Sequence, residues 1–190
     1  MKSALLVIDV INDFDFPGGD ELLAESRRTA PALAGLLAAA RQAGEPVIYA
    51  NDNLGRWHAD FRRVCEHCGR PEAKGADFVR GLLPAGSDYF ILKPKHSAFY
   101  ASSLEPLLQH LEVRRLWLAG IAGDGCVLCT AADAHMRDYR VSVVADCTAS
   151  ITPERNRRAL EHLRVALGQE LLSAAALRQA WAEGGAGAAA

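Results

Sequence analysis

Short apolar runs alternate with segments of helical periodicity along this chain of 190 residues. The runs are continuous rather than alternating, which fits strands that are buried on both faces of a parallel sheet. They predict strands over residues 4–10, 46–50, 89–92, 116–119, 141–145 and, more briefly, 169–172. Strand–helix alternation at this spacing indicates βαβ units. The fold class predicted is therefore α/β, a doubly wound (Rossmann-like) parallel sheet with helices on both faces.

The helical segments are bounded by ordinary start and stop signals. Thr29 as N-cap and Pro31 in the first turn predict the start of the first helix, and Gly44 predicts its end. Residues 51–88 form a long irregular stretch, which inside a compact domain is usually functional or carries short helices. Further helices are predicted over residues 104–111, residues 126–139 and the segment that starts at Thr152.

Length and charge limit the classes of protein that this chain can represent. The length predicts a single domain over residues 1–183, followed by a disordered tail of low complexity at 184–190. The formal net charge of −2 lacks the basic footprint of a nucleic-acid-binding protein. No apolar run reaches the roughly 18 residues of a membrane span, and the first residues do not form a signal peptide. We therefore expect neither nucleic-acid nor membrane partners.

The chain has five cysteines, an odd number that does not suit a disulfide framework. Without an export signal, this count predicts free thiols and a cytoplasmic location. At least one thiol is then a candidate for chemistry. The five are Cys65, Cys68, Cys126, Cys129 and Cys147.

Three chemically useful side chains follow predicted strands, where doubly wound sheets bind ligands. Asp9 ends the first strand, Lys93 follows the third, and Cys126 follows the fourth after a glycine-rich turn. A helix N-terminus and a nearby lysine would lower the pKa of the thiol, and a carboxylate could accept its proton. Taken singly, each residue also fits a structural role as a turn residue, a solvated lysine or a small buried side chain.

Three segments in this order resemble the isochorismatase-like cysteine hydrolases, which include nicotinamidases and N-carbamoylsarcosine amidohydrolases. They read Leu-Leu-Val-Ile-Asp-Val-Ile-Asn-Asp-Phe at 5–14, Lys-Pro-Lys-His-Ser-Ala-Phe at 93–99, and Gly-Ile-Ala-Gly-Asp-Gly-Cys-Val at 120–127. The resemblance extends from about residue 4 to residue 165 and implies the family's six-stranded parallel sheet.

The resemblance implies an Asp-Lys-Cys catalytic triad. Cys126 would be the nucleophile, Asp9 the general base and Lys93 the cation that stabilises the thiolate. A cis Ile121–Ala122 peptide would direct the N–H groups of Ala122 and Cys126 into an oxyanion hole. The implied reaction is hydrolysis of a C–N bond in a small amide or ureido/carbamoyl compound through a thioester, without a cofactor. The resemblance also implies a homo-oligomer, either a dimer or a tetramer.

The chain departs from the family pattern at several positions. Gly123 stands where the family often has threonine, which removes no catalytic atom. Asp52 matches the first metal ligand of nicotinamidases, but Leu54 replaces the histidine two residues later, so we expect no catalytic metal. Gly125, just before the nucleophile, leaves room in the pocket. Candidates for lining that pocket are Phe14, Asn53, Trp57, His58, Phe61 and Gly125. Four of them could equally form a packed loop with exposed polar residues: Asn53, Trp57, His58 and Phe61.

Other interpretations compete with amide hydrolysis. Isochorismate-type enol-ether hydrolysis fits the same family, although a complete triad suits an amide better. Cys126 and Cys129 have the Cys-x-x-Cys spacing of redox proteins, but without the expected neighbours; we expect Cys129 and Cys147 to be buried packing residues. Cys65 and Cys68 have zinc-ligand spacing or could form a disulfide, but no second pair accompanies them. A binding protein on this fold is also conceivable, since fold alone assigns no function.

Overall fold

A computed structural model describes residues 1–55 and 60–184 of the chain. Within this part, the six predicted strands form one parallel sheet in the order β3-β2-β1-β4-β5-β6, which confirms the predicted α/β class. The strands are β1 (Lys2–Ile8), β2 (Val47–Asp52), β3 (Tyr89–Lys93), β4 (Val113–Ile121), β5 (Arg140–Ala149) and β6 (Glu170–Leu172).

Seven α-helices surround the sheet in the described residues, and a single π-helical turn covers Gly123–Val127. The helices are α1 (Gly19–Gln42), α2 (Phe61–Gly69), α3 (Ala76–Arg80), α4 (Leu104–His110), α5 (Leu128–Met136), α6 (Pro153–Ala166) and α7 (Ala174–Ala182). The long stretch at 51–88 thus carries two short helices, as its length predicts. Sequence periodicity did not predict α7, a nine-residue helix that Ser173 caps.

Each face of the sheet has its own hydrophobic core because successive side chains of a strand point to opposite sides. On β1, Leu5 and Val7 belong to the core shared with α1, α7 and the α2–α3 segment. Leu6 and Ile8 belong to the core beneath α4, α5 and α6. All four side chains are fully buried, which explains why the strand reads as a continuous apolar run.

Helix α1 is longer than predicted. It begins at Gly19 rather than at Thr29, and Pro31 lies inside it. Leu22 and Leu23 are buried in its first turns, so packing against the core offsets the backbone hydrogen bond that proline removes. The end of the helix was predicted correctly, because Gly44 adopts a left-handed conformation just after it.

The sheet changes direction between its two central strands. From β1 the chain adds β2 and β3 on one side, then returns to add β4, β5 and β6 on the other. The carboxyl ends of β1 and β4 therefore flank the crevice in which such sheets bind ligands. Among the described residues, no helix combines the length and the apolar character needed to span a bilayer.

Candidate active site

Asp9 is the first residue after β1 and carries the acidic group of the site. Its backbone is in the left-handed region, with φ at 53°, which is uncommon for a residue other than glycine. The Asp9 N–H donates to the Ala50 carbonyl oxygen, and the Asp52 N–H donates to Asp9 Oδ1 at 2.7 Å. Both contacts come from β2, which therefore fixes the carboxylate at the end of the neighbouring strand.

Lys93, the last residue of β3, connects the three predicted catalytic residues. Its side chain is fully buried. The Nζ atom lies 2.8 Å from Asp9 Oδ2 and donates to Cys126 Sγ at 3.3 Å. A third contact, to the carbonyl oxygen of Lys95 at 3.0 Å, uses the remaining donor direction of the ammonium group. Three segments that are distant in sequence thus meet at one nitrogen atom.

Cys126 lies in a turn over residues 120–127, here called the cysteine turn. At its start Gly120 has φ at 117°, and a Cβ there would be 2.1 Å from the Ile8 carbonyl oxygen. Only glycine therefore allows β4 to approach the end of β1 so closely. The Ile121–Ala122 peptide bond is cis. The Ala122 carbonyl oxygen accepts from the N–H groups of Gly125 and Val127, which closes the turn.

The electrostatics of the cluster differ from the sequence prediction. Burial raises the pKa of Asp9, although Lys93 and hydrogen bonds to the carboxylate oppose the shift. Burial also raises the pKa of the Cys126 thiol, the Asp9 charge raises it further, and Lys93 only partly opposes them. The prediction of a lowered thiol pKa was therefore wrong, because a helix terminus and one lysine do not outweigh desolvation beside a carboxylate.

The carboxylate and the thiol compete for a proton in this cluster, because burial raises the pKa of both Asp9 and Cys126. Burial would lower the pKa of Lys93, but the charges of Asp9 and Cys126 outweigh burial and raise it. Lys93 therefore stays charged and balances one negative charge, not two. The neutral cluster either ionises Asp9 and keeps the thiol, or protonates Asp9 and forms the thiolate. Moving a proton between the two groups leaves the net charge unchanged.

Helix α5 anchors the segment that follows Lys93. The Ala98 N–H donates to Thr130 Oγ1 at 3.0 Å, and the Ser97 hydroxyl donates to the Asp133 carboxylate. Both acceptors lie on α5, directly after the cysteine turn. These contacts give the Ser-Ala-Phe segment a physical role, since they hold the loop after Lys93 against the helix that follows the cysteine turn.

The residues predicted to line the pocket lie in different places in the structure. Phe14 is fully buried and packs edge-on against Phe78, so it belongs to the core and the prediction that it lines the pocket is wrong. Asn53 follows β2 beside Asp52, and its Oδ1 accepts from the Gly55 N–H. Gly125 faces His96: a Cβ on Gly125 would lie 3.9 Å from His96 Cδ2. Trp57 and His58 lie outside the described residues.

The other cysteines offer little support for redox or zinc chemistry. The five cysteines all lie in the described residues, and none of them forms a disulfide bond. Cys147 is buried as predicted, whereas Cys129 is exposed, because α5 turns Thr130, Ala131 and Ala134 toward the core instead. In residues 1–55 and 60–184, no group of three or more histidine, cysteine or acidic side chains is placed to hold a metal ion. Burial raises the pKa of Cys65 to about 11.

Comparison with known proteins shows which family the chain resembles. The family model described as Isochorismatase domain matches residues 3–176. The uncharacterized isochorismatase family protein YaaI of Bacillus subtilis is 41% identical over 168 residues, 88% of this chain and 92% of its own. The ureidoacrylate amidohydrolase RutB of Methylobacterium radiotolerans is 33% identical over 180 residues, 82% of this chain and 70% of its own.

Solved structures give the same result. An isochorismatase family protein from Desulfovibrio vulgaris superposes with a TM-score of 0.76 and 31% identity, covering 95% of this chain and 98% of its own. Other similar structures are named N-carbamoylsarcosine amidase and nicotinamidase. With amidohydrolases among its relatives, this α/β protein is a hydrolase. More particularly, the chain belongs to the isochorismatase family, since the match covers nearly its whole length.

Proposed function

We propose that this protein hydrolyses a C–N bond of a small amide or ureido/carbamoyl compound through a thioester formed on Cys126. The observation that carries the proposal is the position of Lys93 Nζ, in contact with both the Asp9 carboxylate and the Cys126 sulfur. A buried lysine in that position keeps the carboxylate–thiol pair at one negative charge, as proton transfer from thiol to base requires. The names of the amidohydrolase relatives support the choice of bond.

The first half-reaction uses the proton that the site shares. Cys126 Sγ attacks the carbonyl carbon while Asp9 accepts the thiol proton, and Lys93 stabilises the sulfur as its charge develops. Asp9 then donates the proton to the leaving ammonia or amine, and an acyl thioester remains (a thiocarbamate for a ureido substrate). Because the thiol keeps its proton at rest, we propose that substrate binding, rather than a free thiolate, starts the reaction.

The oxyanion of the tetrahedral intermediate needs donors beside the sulfur. Gly125 and Val127 use their N–H groups to close the cysteine turn, and the Asp124 N–H donates to Ser150 Oγ. These contacts support assigning the oxyanion to the N–H groups of Ala122 and Cys126. Each such donor is typically worth roughly 3–4 kcal/mol in the transition state.

The second half-reaction regenerates the thiol. Asp9, again unprotonated after the amine has left, deprotonates a water molecule that attacks the thioester carbonyl carbon. Collapse of the second tetrahedral intermediate breaks the C–S bond, and the sulfur takes back the proton from Asp9. The acid product leaves and the cluster returns to its original charge.

Ammonia release from a panel of simple amides, ureido acids and carbamoylated amino acids tests the proposal. We expect turnover of at least one class, and mass spectrometry of a rapidly quenched mixture to show an adduct on Cys126. Cys126→Ala should abolish both turnover and adduct, whereas Cys129→Ser is the matched control and should keep both. Full turnover by Cys126→Ala would exclude the thioester route.

We also propose that residues 1–183 act as one domain, that the protein forms a homo-oligomer, and that it works in the cytoplasm. Five cysteines in the described residues without a disulfide bond between them support a reducing compartment. Light scattering coupled to size-exclusion chromatography would give the oligomeric state directly: the mass of a dimer or tetramer is expected, and the mass of one chain would contradict the proposal.

A further inference from the structure

We propose that Asn156, at the start of α6, is a positioning residue for the cysteine turn, and that its side chain occupies the space made available by Gly123. The proposal rests on the proposed function in that the turn it positions carries Cys126. It concerns a residue outside the three segments that carry the family resemblance. The evidence is a series of hydrogen bonds from the turn to Asn156 and the very close approach of the Asn156 side chain to Gly123.

The hydrogen bonds run from the cysteine turn to the end of β5. The Asp124 N–H donates to Ser150 Oγ at 3.0 Å, and the Ser150 hydroxyl donates to Asn156 Oδ1 at 3.2 Å. Asn156 Nδ2 in turn donates to the carbonyl oxygen and the hydroxyl of Thr148, at 3.2 and 3.3 Å. The Thr148 hydroxyl donates to the Ala145 carbonyl oxygen. The turn is therefore tied to Ser150, directly after β5, and the amide side chain of Asn156 links Ser150 to Thr148 within that strand.

The close approach is between Asn156 and Gly123. A Cβ on Gly123 would lie 2.0 Å from Asn156 Oδ1 and 3.1 Å from Ser150 Oγ, so position 123 cannot carry a side chain while Asn156 stays in place. The φ angle of Gly123 lies outside the left-handed region. Space, not backbone conformation, is therefore what requires glycine here, and the two residues form a complementary pair.

Burial makes this connection stronger than the other contact at the turn. Arg155 also pairs with Asp124, but more than half of its side chain is exposed, and exposed ion pairs contribute little. Ser150 is almost fully buried. Hydrogen bonds inside a protein hold geometry more firmly because water does not compete for them. Of these two contacts, the buried Asp124–Ser150–Asn156 chain is thus the one that holds the turn, and with it the thiol, more firmly.

Asn156→Ala tests the positioning role in a Cys129→Ser background, which removes the exposed thiol. Displacing a reacting group by about 1 Å can cost on the order of 100-fold in rate, so we expect kcat to fall by about that factor with KM nearly unchanged. A looser turn exposes the thiol, whose pKa then moves down toward its ordinary value. Alkylation of Cys126 by iodoacetamide at pH 8 should therefore become about ten-fold faster.

Circular dichroism and the melting temperature must first show that the variant is folded. A lower kcat together with a higher rate of Cys126 alkylation then distinguishes positioning from general destabilisation. The matched control is Arg158→Ala on the same helix, where an exposed arginine pairs with Glu154, and it should change neither quantity. Unchanged kcat or unchanged alkylation in Asn156→Ala would overturn the proposal. If that variant does not fold, Ser150→Ala removes the same link through a single oxygen atom and should show the same two changes.

A double-mutant cycle tests the complementary pair. Gly123→Ala should cost about as much kcat as Asn156→Ala and should lower the melting temperature. In the Asn156→Ala background the added methyl group no longer meets Asn156 Oδ1, and the remaining neighbour, Ser150 Oγ at 3.1 Å, has to move by only a few tenths of an ångström. Gly123→Ala should therefore cause a much smaller further loss of kcat and of melting temperature in that background. If the loss of kcat in the double variant equals the product of the losses in the two single variants, the proposal is overturned.

The proposal and the proposed function can fail separately. If the wild-type protein releases no ammonia from any compound of the panel, amide hydrolysis is refuted. The alkylation rates and melting temperatures of the same variants would still decide whether Asn156 and Gly123 set the position of Cys126.

Discussion

The charge of Asp9 should determine how readily Cys126 loses its proton, and Asp9→Asn tests this directly. The substitution keeps the shape of the side chain and removes its charge. In the wild type, burial and the Asp9 charge both raise the pKa of the thiol. In the variant, Lys93 becomes the charge in contact with the sulfur. We therefore expect the pKa of Cys126 to fall.

The structure sets a minimum for this effect. Lys93 Nζ lies 2.8 Å from Asp9 Oδ2 and 3.3 Å from Cys126 Sγ, so the oxygen and sulfur are no farther apart than these distances combined. At about 6 Å and an effective dielectric constant of about 20, two negative charges repel by about 3 kcal/mol. Since about 1.4 kcal/mol corresponds to one pH unit, the pKa should fall by at least about 2 units.

The assay measures the rate of Cys126 alkylation by iodoacetamide as a function of pH, with Cys129→Ser as the common background. Asp13→Asn is the control for a nearby carboxylate, since the partners of Asp13 are His67 and the Asp15 N–H. It should leave the profile of Cys126 almost unchanged. If the Cys126 thiol of Asp9→Asn titrates at the same pH as that of the wild type, or at a higher pH, then the Asp9 charge does not keep the proton on the sulfur. The model in which Asp9 and Cys126 compete for one proton is then refuted.

Three further predictions follow from the same geometry. Lys93→Met leaves Asp9 buried without its cation, so urea unfolding at pH 8 should show that the free energy of unfolding falls by about 3–5 kcal/mol. This destabilisation should become smaller as the pH falls and Asp9 gains a proton; a destabilisation that grows in acid would contradict the prediction. Because the pKa of Asp9 is raised, the acid limb of kcat/KM should lie above the ordinary carboxyl value of about 3.8, and in Asp9→Asn that limb should disappear with most of the activity. Dialysis against a strong chelator should leave wild-type activity unchanged, since the proposed steps need only side chains of the chain itself; loss of activity that zinc restores would favour a metal site involving Cys65 and Cys68.

The fold was predictable from the sequence because its signals are local. Each strand of a parallel sheet covered on both faces must be apolar along its whole length, as Leu5 to Ile8 are, so a short window identifies it. Helix boundaries were less predictable. Helix α1 extends on the N-terminal side of Pro31 because Leu22 and Leu23 are buried there, and they pack against elements that are distant in sequence.

The members of the candidate site were also predictable, since parallel strands place their carboxyl ends at one edge of the sheet. Asp9 and Cys126 follow strands and Lys93 ends one, and the structure brings the three side chains together around one nitrogen atom. The same reasoning did not exclude Phe14, because a residue in the loop after a strand can turn into the core as easily as into a crevice.

By itself, then, the sequence determined the class of fold, the order of the chemical groups along the chain, and the edge of the sheet where they collect. Only the tertiary structure decided the direction in which the pKa of the thiol shifts, the exposure of Cys129 and the link from Asn156 to the cysteine turn. The reason is that desolvation and Coulomb energies depend on distances between groups that are far apart in sequence. Neither composition nor periodicity contains those distances. The structure gives them as the contacts of one buried lysine with a carboxylate and a thiol.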